Sequence, residues 1–271
     1  DILEKTFTLI QQEDELGSYP ATVQLPPFRM MEILLRTLTV LSPYLNKEWK
    51  EHNVVFLKDA ILRRLRRIPD KEIKEIDRDD LSRFIVKSQS FLLLHYPSDQ
   101  VYFMTETAEL DLNYRFLTCS FFEKKLRGIT RIKELAEKID LAERIARGAN
   151  PPENPQMEPT KYLNAEIFID WILQNKIVEL ILGDSIHTEM IKRCREILRF
   201  IAKYERIPLS LIKLLWNSCE GKHETVLVGL YDLIVEVSEY LDQDGLQFLK
   251  NKIQEIPDEQ QSEMTMNLIK G

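Results

Sequence analysis

The feature that most constrains this chain is a series of apolar stripes at helical spacing between residues 162 and 241. In the clearest stripe, over 188–203, apolar residues lie on one side of the predicted helix and charged residues on the other: Ile191, Cys194, Ile197, Leu198 and Ile201 against Glu189, Lys192, Arg195, Glu196 and Arg199. A helix with such a face is stable only when that face is buried against neighbours. The pattern therefore predicts stacked amphipathic helices.

The same spacing recurs over most of the chain. It predicts helices over 2–12, 28–41, 77–95, 107–119, 121–146, 164–182, 208–221, 226–241 and 243–256. Between the second and third of these it predicts a short helix capped by Asn46 and another over 54–68 capped by Asn53. The passage 101–107 is less regular. Only 8 glycines occur in 271 residues, which argues against a sheet-rich fold with many tight turns. We expect an all-α protein of about ten to twelve helices.

The spacing of successive helix pairs favours an α-solenoid of armadillo or HEAT type over a compact bundle, although no strict repeat is visible. The sequence GANPPENPQMEPT at 148–160 cannot sustain a helix. We expect an exposed loop there, inserted between packed helices and separating 1–147 from 161–271 within a single armadillo-like domain, 1–271. Since the chain begins at Asp1, we also expect it to be a fragment of a larger protein.

Charge and composition disfavour several classes of partner. The formal net charge of −7 opposes binding to nucleic acid and to anionic membranes, and no apolar run reaches the roughly 18 to 20 residues that span a bilayer. Three scattered cysteines do not form a disulfide framework and indicate a reducing compartment. We expect the cytoplasm, with the nucleus as a second location.

Motifs for chemistry are absent from the sequence. No histidine belongs to a group with metal-ligand spacing, and no glycine-rich loop can cradle a phosphate. We therefore expect no metal, no cofactor and no catalytic residue. One alternative is a nucleophile and base formed by Cys219 and His223, four residues apart, but Gly221 between them is expected to end the helix.

A basic cluster stands out in the sequence KDAILRRLRRI, which contains Lys58, Arg63, Arg64, Arg66 and Arg67 with only one acidic residue. Such a patch can receive an acidic partner segment or a phosphate group. The alternative, which we favour, is a solvated helix face whose arginine stems cover apolar surface and whose heads pair with the acidic run at 70–80. These five residues are the candidate partner-binding site.

A series of landmarks in the second half carries a family resemblance. They are a W-[IL]-x-x-N-x-[IV] helix, a Ser/Asn-Leu/Ile-His turn, an I-L-x-F helix and an [IL]-W helix followed by a Lys-His pair, here at 171–177, 185–187, 197–200, 215–216 and 222–223. In this order they resemble the N-terminal armadillo-like helical region of the very large ubiquitin-specific proteases of the fat facets type. The resemblance extends over 110–253, and the family's catalytic cysteine and histidine boxes are not recognisable.

The resemblance implies a non-catalytic scaffold segment of a ubiquitin carboxyl-terminal hydrolase. Such a segment would recognise ubiquitinated substrates, adaptors or ubiquitin, and a thiol-dependent protease domain would lie elsewhere in the same polypeptide. The contact surface would be the basic cluster or the concave face of the stacked helices. The alternative is an independent armadillo-like adaptor that is unrelated to ubiquitin.

Overall fold

The computed structural model describes residues 28–68, 70–150, 158–183 and 186–256, and these are all-helical, with no strand among them. Twelve α-helices and one 3₁₀ turn, Ser42–Tyr44, account for the described elements. The helices are α1 Phe28–Leu41, α2 Lys47–Arg66, α3 Asp70–Glu75, α4 Arg78–Leu92, α5 Ser98–Thr118, α6 Phe122–Ala146, α7 Ala165–Gln174, α8 Ile177–Ile181, α9 Thr188–Lys203, α10 Leu209–Asn217, α11 Glu224–Ser238 and α12 Gln243–Gln254.

The chain divides into two compact units, Asp1–Arg115 and Phe116–Gly271. In the first unit, α1 packs against α4, and the rings of Phe28 and Phe84 meet at a centroid distance of 5.0 Å. The apolar stripe of α2 is fully buried in the same core. Burial of these faces, rather than helix propensity, stabilises the unit.

Helix α9 is central to the second unit, where it packs against α6, α8 and α11. Its apolar stripe is almost entirely inaccessible to water. At the contact with α11 the helices approach so closely that a Cβ on Gly229 would lie 3.2 Å from Ile191 Cγ2. Further along, α11 packs on α10 and α10 on α12, so neighbouring helices bury each other's apolar sides in turn.

Several sequence predictions are confirmed and others are corrected. The predicted 28–41 and 188–203 helices have those bounds. The predicted break at Asn53 is wrong, because α2 is continuous and the Asn53 amide donates to the Trp49 carbonyl inside it. The passage 101–107 belongs to one long helix, α5. The short helices α3 and α8 were not predicted, and the predicted 2–12 helix lies outside the described residues.

The proline-rich sequence at 148–160 falls inside the second unit, where the flanking helices α6 and α7 pack against each other. The division between the compact units is near the end of α5 instead. Residues 151–157 lie outside the described residues. The exposed loop and the single domain therefore stay predictions.

Candidate functional site

The basic cluster occupies the C-terminal half of α2, but its members have very different surroundings. Arg64 is only 1% exposed, forms an ion pair with Glu72 of α3, and places its guanidinium carbon 4.1 Å from the centroid of the Phe28 ring. A buried arginine with these contacts joins α1, α2 and α3. Arg64 therefore has no surface to offer a partner and is removed from the predicted site.

The other members of the cluster retain some surface. Arg66 and Arg67 are exposed, and Arg66 Nε lies 2.9 Å from Asp111 Oδ2 on α5. Lys58 is half-buried, with its Nζ 3.3 Å from Asp59 Oδ1 and 5.7 Å from the centroid of the Tyr96 ring. Arg63 is half-buried as well. The accessible part of the cluster is thus mainly the pair Arg66 and Arg67, at the last turn of α2.

The arginines of the cluster pair only in part with the acidic run at 70–80, as a solvated helix face would. Arg64 does so through Glu72, whereas Arg66 pairs with Asp111, outside the run. The nearby Arg115 on α5 pairs with Asp70, and its Nε donates to the Ile68 carbonyl over 3.2 Å. Together these pairs fix the connection between α2 and α3.

A groove of about 130 Å³ runs between α6 and α9 in the second unit. Its charged lining residues come from both helices: Lys133, Glu137, Asp140, Glu196, Arg199 and Lys203. They are already paired within the groove, since Lys203 Nζ lies 2.7 Å from Asp140 Oδ1 and Arg199 Nη1 lies 3.2 Å from Glu196 Oε1. The groove therefore has no net preference for an anion or a cation.

Tyr204, at the end of α9, is a polar link that the sequence did not reveal. Its hydroxyl lies 2.6 Å from Glu143 Oε2 and 3.0 Å from Asp140 Oδ1, and it donates to these carboxylates on α6. Burial and then the two carboxylates raise the pKa of Tyr204 well above its usual range, so the hydroxyl stays protonated. The link fixes α9 against α6 and is a structural contact.

Two of the family landmarks are histidines that cap helices. His187 precedes α9 and its Nδ1 accepts from the Glu189 backbone N–H over 3.2 Å. His223 precedes α11 and its Nδ1 accepts from the Thr225 N–H over 3.4 Å. The orphan N–H groups at a helix start need such acceptors. Both histidines thus have a structural explanation.

Three further landmarks, Trp171, Asn175 and Phe200, make ring or hydrogen-bond contacts. Phe200 of α9 meets Phe168 of α7 at a centroid distance of 5.5 Å, and Trp171 stacks on the same Phe168 at 6.1 Å. The Asn175 side-chain amide donates to the Trp171 carbonyl over 2.9 Å at the end of α7. These landmarks of the family resemblance therefore make contacts that position helices.

The proposed pair of Cys219 and His223 does not have the properties of a catalytic pair. The Cys219 thiol donates to the Leu215 carbonyl over 3.4 Å, and burial raises its pKa to about 12. A cysteine nucleophile needs the opposite shift. Helix α10 ends at Asn217, before Cys219 and earlier than the expected end at Gly221, and the Gly221 backbone turns with a φ of 66° ahead of the His223 cap of α11.

The described part of the chain contains neither a metal-binding cluster nor a membrane-spanning helix. Within 28–68, 70–150, 158–183 and 186–256, no three histidine, cysteine or carboxylate side chains are grouped closely enough to hold a metal ion. No helix described there combines the length and apolar character needed to cross a bilayer.

The described residues form successive helices that pack through one apolar face and have capped ends, with no strand among them. This architecture defines an all-α protein of the armadillo-like class. The family model described as the UBP24/USP9X/USP9Y ARM repeat matches residues 104–270. This chain belongs to that ARM repeat family, as the resemblance in its second half predicts.

Relatives of the chain are named as ubiquitin carboxyl-terminal hydrolases. It is 28% identical over 134 residues to ubiquitin carboxyl-terminal hydrolase 9Y of Homo sapiens, which is 49% of this chain and 5% of that protein. It is 24% identical over 170 residues to the probable hydrolase FAF of Drosophila melanogaster, 62% of this chain and 6% of that protein. It is 21% identical over 245 residues to ubiquitin carboxyl-terminal hydrolase 34 of Homo sapiens, which is 89% of this chain and 6% of that protein.

The chain spans only 5% to 6% of the length of these relatives. Their shared region is therefore a small part of each protein. No solved structure matches the chain significantly.

Proposed function

We propose that this chain is a non-catalytic helical scaffold segment of a large ubiquitin carboxyl-terminal hydrolase, and that it recognises proteins. The observation that carries the proposal is the match of residues 104–270 to the ARM repeat of such hydrolases. Armadillo-like helices stack into extended surfaces that suit protein partners. The partners would be ubiquitinated substrates, adaptors or ubiquitin, and the whole protein would be a thiol-dependent deubiquitinase.

Cysteine chemistry supports assigning the hydrolysis to another part of the polypeptide. Burial raises the pKa of both Cys194 and Cys219 to about 12, so both thiols stay protonated at pH 7. Cys119 is buried and donates to the Phe116 carbonyl over 3.1 Å. Since the thiolate is the attacking species, Cys194 and Cys219 are poor nucleophiles, and burial shields Cys119 from a substrate.

For the recognition surface we propose the exposed end of the basic cluster, Arg66 and Arg67. Their charge contrasts with a chain whose net charge is −7, so they would favour an acidic segment of a partner. Lys58 and Arg63 would contribute less, because they are half-buried. Cytoplasmic location, with the nucleus as a second place, is part of the same proposal, and the three unpaired cysteines support it.

The test uses the longer protein that carries this chain. Reversing the charge with Arg66→Glu and Arg67→Glu should leave hydrolysis of a small fluorogenic ubiquitin conjugate unchanged, because the active site is elsewhere. Deubiquitination of a ubiquitinated protein partner should fall several-fold, with the loss in KM. The matched control is Arg147→Glu, an exposed arginine in the other compact unit.

Three outcomes would contradict the proposal. Hydrolysis of the ubiquitin conjugate by the isolated 271-residue chain would show that it is catalytic. An equal effect of Arg147→Glu would remove the assignment of the surface. A reading frame without a protease domain would favour the independent adaptor instead.

A further inference from the structure

The outer side of α1 carries an apolar stripe that no described helix covers. Ile33, Val40 and Tyr44 are 51%, 68% and 85% exposed, and they lie seven and four residues apart, which places them on one side of α1 and its 3₁₀ extension. The buried residues of α1, such as Leu35, point to the opposite side, against α4. An exposed apolar row of this kind on one side of a helix can serve as an interaction surface.

Two arginines give this stripe a charge. Arg29 and Arg36 are exposed on the same side as Ile33, and neither has an ion-pair partner among the described residues. The one carboxylate in 28–45 is Glu32, which instead lies 3.5 Å from Arg83 Nε on α4. We call the set Arg29, Ile33, Arg36, Val40 and Tyr44 the basic-apolar stripe. An occupant that fits it must be apolar along one side and acidic at its edges.

The chain itself contains a segment with this chemistry, at residues 1–15. Leu3, Phe7 and Ile10 recur at four and three residues, which is the spacing of an apolar helix side. Residues 1–15 hold five carboxylates against one lysine, a formal net charge of −4. The segment lies outside the described residues.

Covalent connection favours this segment over a separate partner. The 12 residues at 16–27 can reach about 40 Å when extended, whereas the 14 residues of α1 span about 21 Å. The segment can therefore reach either end of the stripe. Tethering gives it an effective concentration on the order of millimolar, which a free partner would have to exceed. We propose that residues 1–15 dock on the basic-apolar stripe of α1.

Crosslinking in the full chain tests the proposal. The variant Phe7→Cys with Val40→Cys places thiols on the segment and on the stripe, and a short bismaleimide reports their proximity. The control is Phe7→Cys with Val86→Cys, because Val86 is 54% exposed and lies on α4 instead. We expect intramolecular crosslinking to Val40→Cys to be at least tenfold faster than to Val86→Cys.

Charge reversal tests the electrostatic part. Arg29→Glu with Arg36→Glu should reduce the Phe7–Val40 crosslinking rate at least threefold. Arg144→Glu with Arg147→Glu, which changes two exposed arginines in the other compact unit, should leave it unchanged. Circular dichroism confirms that each variant is folded. Equal rates for both cysteine pairs, no crosslinking, or crosslinking only between molecules would overturn the proposal, and the last result would identify a second copy as the occupant.

Discussion

At the scale of single residues, Arg64 shows how burial separates members of a basic cluster that are equivalent in the sequence. Arg63, Arg66 and Arg67 are its neighbours in the sequence. Of these four arginines only Arg64 is buried, because it lies on the apolar side of α2. The sequence shows the helical spacing that places Arg64 on this side, but it does not show which residue pairs with Arg64. Glu72 belongs to α3, a six-residue helix that the pattern did not predict.

Removing Arg64 should destabilise the protein strongly. Arg64→Ala leaves Glu72 without its partner and removes the contact with Phe28, so we expect the free energy of unfolding to fall on the order of 3 kcal/mol. Arg66→Ala, on the same helix with an exposed ion pair, should lower it by less than about 1 kcal/mol. Urea denaturation measures both. Equal losses would show that the buried ion pair of Arg64 stabilises the protein no more than the exposed ion pair of Arg66.

His95 should make stability depend on pH. Burial and then the nearby charge of Lys50 lower its pKa, and the ring contacts Phe91 at a centroid distance of 4.9 Å. Since the unfolded histidine binds a proton more readily, its stabilising contribution is complete above pH 6.5 and is lost as the pH falls through the lower folded pKa.

The measurement is the free energy of unfolding between pH 4.5 and 7.5. His95→Phe should flatten the fall in stability at the acidic end relative to the wild type. His52→Gln, which changes an exposed histidine on α2, should not. A wild-type profile that His95→Phe leaves unaltered would contradict the assignment.

At the scale of helices, the sequence predicted those elements whose start and stop signals are local. Asn164 caps α7 as predicted, with its Oδ1 accepting from the Ile167 N–H over 2.9 Å. The caps of α9 and α11 were missed, since histidine is not among the residues preferred at that position. The break between α7 and α8 was missed as well, because it is made by Lys176 with a φ of 52°, a conformation usual for glycine.

The cap of α11 can be tested by substitution at His223. His223→Ala removes the acceptor for the Thr225 N–H and should lower the free energy of unfolding by about 1 kcal/mol. His223→Asn should retain most of the stability, because the asparagine side chain offers an equivalent acceptor. The neighbouring Lys222→Ala is the matched control. Thermal unfolding distinguishes these cases, and a loss in His223→Asn equal to that in His223→Ala would exclude the capping role.

At the scale of the molecule, the all-α class and the family could be predicted from the sequence, whereas the site could not. Apolar periodicity and family landmarks are properties of the chain itself, such as the stripe of 188–203 that became α9. Which arginine is buried, or which side of α1 stays uncovered, depends on how helices distant in sequence pack. That information appears only when the contacts are known.

Limited proteolysis tests the interpretation of 148–160 as an insertion. Trypsin should cleave first at Arg147 and Lys161, which flank the proline-rich sequence. The fragments should stay together on size exclusion, because α6 packs against α7 and α9 across the cleavage sites. Native mass spectrometry reports the complex. Fragments that separate without denaturant would show that the segment links independent domains.

The low reactivity expected of the native thiols has a practical consequence for spectroscopy. Cys119 and Cys194 are buried, and the Cys219 thiol is almost entirely protonated at neutral pH. A maleimide dye or nitroxide should therefore react first with any cysteine introduced at an exposed position, such as Val40. The natural sequence can then serve directly as the background for distance measurements by fluorescence or electron resonance, without replacing a single native cysteine.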